Sequence, residues 1–373
     1  MRVVVVGAGI GGLTFAIAAR RRGHQVTVID KRPNFPEEGA GIILGPNVME
    51  ALRELELVEP IAAVARPIEQ MCITDHTGRP LASSRYTAPR FSIPAQAVHR
   101  SRLHQVLREA FDGELRVGSE VTGVEGSDRP AVWMGSEVLR ADQIVGADGI
   151  HSRVREVLHP GFVPRYSGVT CWRFVVDSQW TEQATEMWGF GKRVGVVPLG
   201  LGQTYLFLTL NAPRHAPAPF HNLEGFRALW SGFGPPAKQG LEALDDFSKL
   251  LHNDLEDGIP DRWCAPGLVL LGDAAHAVTP NLGQGAGLAV EDACCLASLL
   301  GTPDALSRYE SLRRPRATWI RDRSFSMGRV GQLDSPWLCR LRNKIVTWTP
   351  SSVNAAVLKR IVNDMPGVPL RES

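Results

Sequence analysis

Four valines, Val3 to Val6, run directly into Gly7-Ala8-Gly9-Ile10-Gly11-Gly12. No other stretch restricts the fold as tightly. The valines are apolar to every side, as in a parallel strand buried on both faces. An alanine-rich segment follows to Arg22, and Gly23 stands where a helix would end. Residues 26–29 read as a second strand with Asp30 at its end. Strand, G-x-G-x-x-G, helix, strand and terminal acid have the spacing of a dinucleotide site. Gly7 makes the turn, Gly9 admits a pyrophosphate and Gly12 lets helix and strand close up. The acid favours a free ribose 2′-hydroxyl, hence FAD or NAD rather than NADP. The alternative is a tight strand–helix turn with no ligand.

A second glycine-rich region, residues 267–300, reads GLVLLGDAAHAVTPNLGQGAGLAVEDACCLASLL. Its residues 268–271 form an apolar strand, and Gly272-Asp273 ends it where open α/β sheets bind ligands. Asp273 offers an acceptor pair to ribose-type hydroxyls. Pro280 blocks a helix, and Gly283, Gly285 and Gly287 then bare the backbone. A helix starting there turns free N–H groups and a positive dipole end toward the ligand. A third strand, from Ile144, ends in Asp148-Gly149, and His151-Ser152-Arg153 opens a helix. Asp-Gly is also an ordinary turn. Arg100 precedes a helix with Leu103, Val106, Leu107, Ala110 and Phe111 on one face. It is a phosphate ligand or a solvated arginine.

Elsewhere, residues 33–39 read as a loop, and Gly39-Ala40-Gly41 lets the chain pass close to a neighbour. Asn47 is the expected cap of a helix over residues 48–57. Residues 68–97 read as strands and loops broken by Pro80, Pro89 and Pro94, and residues 115–124 and 131–139 alternate like strands. Residues 169–176, 185–190, 193–197 and 204–210 are strand-like, interrupted by Pro, Gly and aromatics. They suggest a mostly antiparallel sheet, inserted into the nucleotide domain, whose inward face is a substrate wall. After Leu300 the pattern is helical. Residues 337–362 are amphipathic, broken at Pro350, and are expected to pack on the domain; a lid touching a membrane is the alternative.

The 373 residues suffice for two domains, and a net charge of +2 makes no case for nucleic acid. Six cysteines without metal or disulfide spacing fit a reducing cytosol, and no metal is expected. No signal sequence opens the chain and no apolar run reaches bilayer-spanning length, so a cytoplasmic protein without an integral span is expected.

Three separated blocks are GAGIGG with Asp30, GADGIHSRVR around Asp148, and LLGDAAHAVTPNLGQGAGLAVEDA around Asp273. In this order they resemble the FAD-dependent aromatic hydroxylases of the para-hydroxybenzoate hydroxylase superfamily, the group A flavoprotein monooxygenases, over residues 1 to about 325. The segment VHRSRLHQVL resembles the R-x-x-L-x-x-x-L helix of that family and favours the ligand reading of Arg100. The resemblance implies an α/β fold: a Rossmann-like FAD domain over 1–66, 100–160 and 265–325, a sheet domain over 67–99 and 161–264, and a helical segment over 326–373.

It further implies that Gly7, Gly9, Gly11 and Gly12 wrap the ADP half and that Asp30, with Lys31 beside it, holds the adenosine ribose. Arg100 and Asp273 would lie along the ribityl-pyrophosphate, Val121 against the cofactor, and Asp148 near the pyrophosphate. Pro280 would sit by the reactive edge of the isoalloxazine. Gly283, Gln284, Gly285, Ala286 and Gly287 would present N–H groups to its N1/O2 edge. Gly191 to Leu208 resembles the matching stretch of the small urate-hydroxylating members, which would turn Arg193 and Tyr205 to the substrate; Trp172-Arg173 departs from it.

The implied reaction is NAD(P)H reduction of FAD, oxygen activation at the flavin, and transfer of one oxygen atom from O2 to a planar aromatic or heteroaromatic ring or an alkene. No second strand–GxGxxG–helix unit is present for the nicotinamide, which suits a transient encounter with NADH or NADPH. Absence of a CxxC pair and of G-W-x-W-x-I-P argues against disulfide reductases and flavin halogenases. A flavin oxidase or dehydrogenase, or a ligand-sequestering flavoprotein, remains compatible with the same fold. His276, within the third block, is expected to be structural, and no catalytic base is evident.

Overall fold

The computed structural model describes residues 1–35, 40–85 and 92–370. The expected close pass at Gly39 and the strand break at Pro89 lie outside the described residues. A six-stranded sheet forms the centre, in the order Cys264–Ala265, Leu268–Leu270, Gln143–Gly146, Arg2–Val6, Gln25–Ile29, Glu114–Arg116. Its neighbours pair parallel except at the short 264–265 edge. The valines of the first strand are buried, as a sheet covered on both faces requires. Helix Ile10–Arg21 lies against helix Gly285–Leu299 on this sheet, and both are apolar on nearly all sides.

The N-terminal turn is built by contact. Gly7 has φ +107°, and a β-carbon on it would overlap the Ala147 carbonyl. A β-carbon on Gly12 would overlap the Gly7 carbonyl oxygen. Gly9 differs: its φ of −74° suits any residue, and a β-carbon there would meet nothing within 4 Å. Two glycines are therefore required by the fold itself, and the third faces open space.

A seven-stranded sheet stands beside the first, in the order Leu251–Asp257, Arg165–Val176, Thr204–Asn211, Lys192–Pro198, Ala184–Trp188, Gln70–Asp75, Pro80–Arg85. Only the junction of Ala184–Trp188 with Gln70–Asp75 is parallel. Strand alternation divides its residues. Trp172, Phe174, Val194, Val196, Leu206 and Leu208 point outward into a core closed by Phe226, Trp230 and Leu241 of two short helices. Cys171, Arg173, Arg193, Tyr205, Phe207 and Thr209 occupy the other face.

Several sequence expectations are corrected. The helix expected at 48–57 runs Pro46–Arg53 behind Gly45, and Asn47 is no cap: its buried amide donates to Glu291 at 2.7 Å. Of residues 115–124 only Glu114–Arg116 and Gly123–Glu125 are strand, with Gly118 at φ +65° between them. Residues 131–139 form a hairpin turning at Gly135. Strand Ala95–His99 lies outside the large sheet, at the centre of a separate three-stranded sheet between Gly41–Leu44 and Ala65–Ile68, antiparallel to both. Helix Ala305–Gly331 runs unbroken through the boundary expected at 325. The break at Pro350 falls as expected, between helices Pro336–Trp348 and Ser351–Asn363.

A buried ionic cluster joins four of these helices. Arg313 donates to Asp292 at 2.8 Å and to Glu291 at 2.7 Å. Arg316 grips Glu291 through two nitrogens, at 2.6 and 2.7 Å, and also donates to the Ile361 carbonyl. Asp292 is paired with His276 and accepts from the Gly272 N–H at 3.2 Å. All five side chains are essentially inaccessible. Burial alone would push both carboxyls up. The nearby Arg316 and Arg313 (for Glu291) and His276 and Arg313 (for Asp292) outweigh it and hold both below the usual carboxylate range.

Gly12→Ala is expected to lower stability by at least about 1–3 kcal/mol through overpacking, while Gly9→Ala leaves it nearly unchanged; thermal unfolding of the two variants checks this. Arg313→Met strands buried charge and is expected to cost about 3–5 kcal/mol by urea unfolding. The carboxyl pKa values are depressed on folding, so their contribution is complete above roughly pH 4.5 and fades as pH falls toward the folded values. Unfolding free energy should fall on acidification below that point, with a shallower slope in Asp292→Asn.

Candidate functional site

Parallel pairing puts the carboxyl ends of adjacent strands along one edge of the central sheet. In spatial order that edge carries Asp273, Asp148, Gly7 and Asp30, one after each of four neighbouring strands. At roughly 4.8 Å per strand the row spans about 14 Å. The three sequence blocks thus meet along a single cleft. Helix Ile10–Arg21 begins beside Gly9 with no side-chain cap, so its first N–H groups face the cleft without a local acceptor.

Asp30 is buried and its carboxylate is shared. It accepts from the Ala8 N–H at 2.9 Å and from the Arg32 N–H and guanidinium at 2.9–3.0 Å. Burial raises its pKa, and the Arg32 and Ala8 hydrogen bonds outweigh that and hold it low. Arg32, missed in the sequence, is the partner; neighbouring Lys31 points to solvent. His104, equally unforeseen, is bonded to the Ala8 carbonyl at 2.6 Å and ties helix Arg100–Ala110 to the glycine turn. Val121 is buried near the Asp30 end, where the Ser119 N–H donates to the Asp30 carbonyl.

Asp148 stands at the expected strand end, with half of its carboxylate taken by the helix that follows. One carboxylate oxygen accepts from the N–H groups of Arg153 (2.7 Å) and Val154 (3.3 Å), so it caps the next helix; the other has no protein partner. Burial pushes this carboxyl up. The link to the neighbouring strand end comes from Arg155. It donates to the carbonyls of Ala274 (3.1 Å), Asp273 (3.4 Å) and Ile150. The motif GADGIHSRVR contained this arginine, but nothing in its spacing showed what it joins.

Asp273 and Arg100 share an unusual setting. Protein surrounds both in depth, yet both side chains are exposed. That combination describes the wall of a deep cleft rather than a free surface. Burial pushes Asp273 up, opposed by His276, Arg100 and Arg155; burial lowers Arg100, opposed by Asp273. Arginine stays cationic at neutral pH regardless. His276 itself is fully buried against Asp292, as a structural residue.

The loop after Asp273 is pinned before it reaches its glycines. Pro280 begins a single 3-10 turn and is exposed. Next to it, the Asn281 amide donates to Thr279 (3.0 Å) and to the Ser324 carbonyl (2.9 Å) and accepts from Arg193 at 2.6 Å. Gly283 is exposed at φ +62°, Gly285 and Ala286 are partly open, and helix Gly285–Leu299 starts at Gln284 with no side-chain cap. Gly287 packs on Val48, and Gly11 packs on Leu271 and Ala289. The Gly283 N–H, expected to meet the ring, is instead taken by the Pro280 carbonyl at 2.9 Å, and the N–H groups at 284–286 form a second uncapped helix start beside the cleft.

The two residues expected to face the substrate behave differently. Arg193 is buried with its nitrogens taken by Gln332 (2.8 Å), Glu186 (2.8 Å) and Asn281 (2.6 Å). Each of its three nitrogens makes one of these bonds, and together they hold the Pro280 loop to the sheet. Tyr205 lies on the inward face with its ring against Gly41 and its centroid 6.0 Å from that of Phe207. Burial pushes its phenol well up, against Arg173 and Arg100, so it is a neutral O–H at physiological pH. Arg173, which departed from the expected pattern, lies against this phenol and donates to Asn253 at 3.0 Å. A cavity of about 510 Å³ opens beside Arg193, Asn281, Phe325 and Gln332, but Asp273, Arg100 and Tyr205 do not line it, so it adjoins the cleft rather than forming it.

The residues suit FAD. Bare backbone at Gly9, two uncapped helix starts, acids at the outer strand ends and a cationic Arg100 fit an elongated ligand with a ribose, phosphates and an acceptor-rich ring edge.

The FAD binding domain family matches residues 1–324. An aurachin C monooxygenase/isomerase of Stigmatella aurantiaca is 37% identical over 93% of this chain and 94% of its own length. A 2-heptyl-3-hydroxy-4(1H)-quinolone synthase of Pseudomonas aeruginosa is 33% identical over 97% of each chain. The crystal structure of Klebsiella pneumoniae HpxO complexed with FAD and uric acid superimposes with a TM-score of 0.87 at 25% identity, covering 98% of this chain and 97% of that one. Sequence, fold and the cleft at the strand ends agree: the chain belongs to the FAD binding domain family and is an FAD-dependent monooxygenase.

Proposed function

We propose that the protein inserts one atom of O2 into a planar, electron-rich heteroaromatic ring of the 4-quinolone kind, with NADH or NADPH as reductant. The balance is substrate C–H, O2, NAD(P)H and a proton giving substrate C–OH, NAD(P)⁺ and water. Bound FAD supplies the two-electron exchange and the activation of oxygen. The chain's own residues bind, orient and keep water out. The reading is carried by the apposition of the strand-end cleft and the inward face of the seven-stranded sheet. The name of the 2-heptyl-3-hydroxy-4(1H)-quinolone synthase relative narrows the substrate class.

In this reading residues 1–66, 100–160 and 265–325 hold the cofactor, and the large sheet shapes the substrate side. Gly9 leaves room for the pyrophosphate on a turn that Gly7, Gly11 and Gly12 let close, Asp30 takes the adenosine ribose, and Asp273 with Arg100 takes the ribityl chain. N–H groups at 284–287 meet the ring edge that gains charge on reduction. Phe207 offers a flat apolar contact, and Tyr205 offers a neutral O–H to a carbonyl of the substrate. Arg173 offers a cation to an ionised ring oxygen. Arg193 is a positioning residue that fixes Asn281 beside Pro280. The apolar packing of Ile43, Ala97, Val197 and Leu199 around Tyr205 excludes water from that end.

Stimulation of NAD(P)H oxidation by 2-alkyl-4-quinolones, with a product one oxygen atom heavier, is the expected result of a substrate panel. Turnover on urate or salicylate but not on quinolones would overturn the substrate class; peroxide alone as product would overturn oxygen transfer. Gly9→Val is expected to fold normally yet purify without yellow flavin, since the side chain enters open space that the pyrophosphate needs. Tyr205→Phe is expected to lower kcat/KM by about fivefold to tenfold, the worth of one neutral hydrogen bond, with flavin content unchanged.

A further inference from the structure

Helix Pro336–Trp348 is buried on one side only. There Cys339 and Arg342 face the protein, and the Arg342 guanidinium donates to the carbonyls of Gly331 (2.9 Å) and Gly189 (3.2 Å) and lies 5.1 Å from the Trp188 ring centroid. The opposite side carries Trp337, Leu338, Leu341, Ile345 and Trp348, exposed by 66, 38, 42, 55 and 78%. At 3.6 residues per turn these five fall within an arc of about 100°. They make up the one dense group among the exposed large apolar side chains of the described residues; the others are scattered along the chain.

The rim of this face is charged with one sign. Arg340 and Lys344 are exposed along one flank of the arc. From Pro336 to Asn363 the sequence has no Asp or Glu, whereas Lys359 and Arg360 add two further cations. Tryptophan stands at both ends of the apolar stripe, and its ring, apolar with one N–H, favours the headgroup level of a bilayer. The helix is about 20 Å long, too short to cross the roughly 30 Å hydrocarbon layer. No helix among the described residues is long and apolar enough to do so.

We propose that this helix is a membrane-surface docking element. It lies in the plane of an anionic phospholipid bilayer, with Trp337, Leu341, Ile345 and Trp348 in the headgroup region and Arg340 and Lys344 on lipid phosphates. A second copy of the chain fits the same face less well. A two-fold contact would bring like-charged Arg340 and Lys344 pairs together with no carboxylate on the helix to neutralise them. The assignment does not depend on which ring the enzyme oxidises.

The test is sedimentation of the FAD-loaded full chain with vesicles of phosphatidylcholine alone or mixed in equal parts with phosphatidylglycerol. Binding to the mixed vesicles is expected to exceed binding to the neutral ones by about tenfold or more and to weaken in high salt. The triple variant Trp337→Ser, Ile345→Ser, Trp348→Ser is expected to lose most binding while keeping flavin absorbance and circular dichroism. Arg340→Gln with Lys344→Gln, which spares the apolar face, is expected to lose about tenfold on mixed vesicles only. Equal pelleting of wild type and both variants would overturn the proposal. So would a wild type that stays in the supernatant as a dimer and becomes monomeric in the triple variant.

Discussion

Everything at the cofactor cleft depends on parallel pairing of four strands in the central sheet. Because they run the same way, segments more than a hundred residues apart end along one edge. Had one of these four strands been antiparallel, its terminal acid would stand at the far edge of the sheet. The pairing requires strands buried on both faces, hence the unbroken valine and leucine runs. It also requires close approach at the first turn, where Gly12 touches the Gly7 carbonyl.

The ionic cluster beneath the glycine loop stabilises the arrangement from the other side. Asp292 accepts from the N–H of Gly272, the residue before Asp273, and pairs with His276 one turn of chain later. Arg313 and Arg316 carry the same cluster to helix Ala305–Gly331, which also receives Asn281 through Ser324. Arg193 adds the seven-stranded sheet. The loop that would face the flavin is thus set by contacts from three directions before any ligand binds, which is what preorganised N–H donors need. The buried charges are costly to strand singly, so the cluster resists piecemeal change.

The sequence made the strand ends legible because their requirements are local. A β-carbon has no room at Gly7 or Gly12, and Asp30 and Asp273 follow directly on apolar strands. What stayed hidden was partner choice over long separations. Asn47 reads as a helix cap but bonds to Glu291, which lies 244 residues away. Arg193 and Arg173 share one face by strand alternation. Only Gln332 and Asn281, 139 and 88 residues from Arg193, decide that it is tied to the end of helix Ala305–Gly331 and the Pro280 loop while Arg173 lies against Tyr205. Asp148 sits at the expected strand end but spends half its carboxylate on the adjacent helix, an outcome of local turn geometry that Asp-Gly alone does not specify. The same limit applies to Pro336–Trp348: its amphipathic pattern was readable, but which side the protein covers was not.

The central claim is that one ligand spans the cleft, with its adenosine half at Gly7–Asp30 and its ring half at Asp273 and the glycine loop. Titration of flavin-free protein with FAD and with FMN, followed by flavin fluorescence, tests it most directly. The account predicts one FAD per chain, displaced by excess ADP, and far weaker uptake of FMN, which lacks the adenosine half. Equal affinity for FMN, with ADP unable to compete, would contradict it.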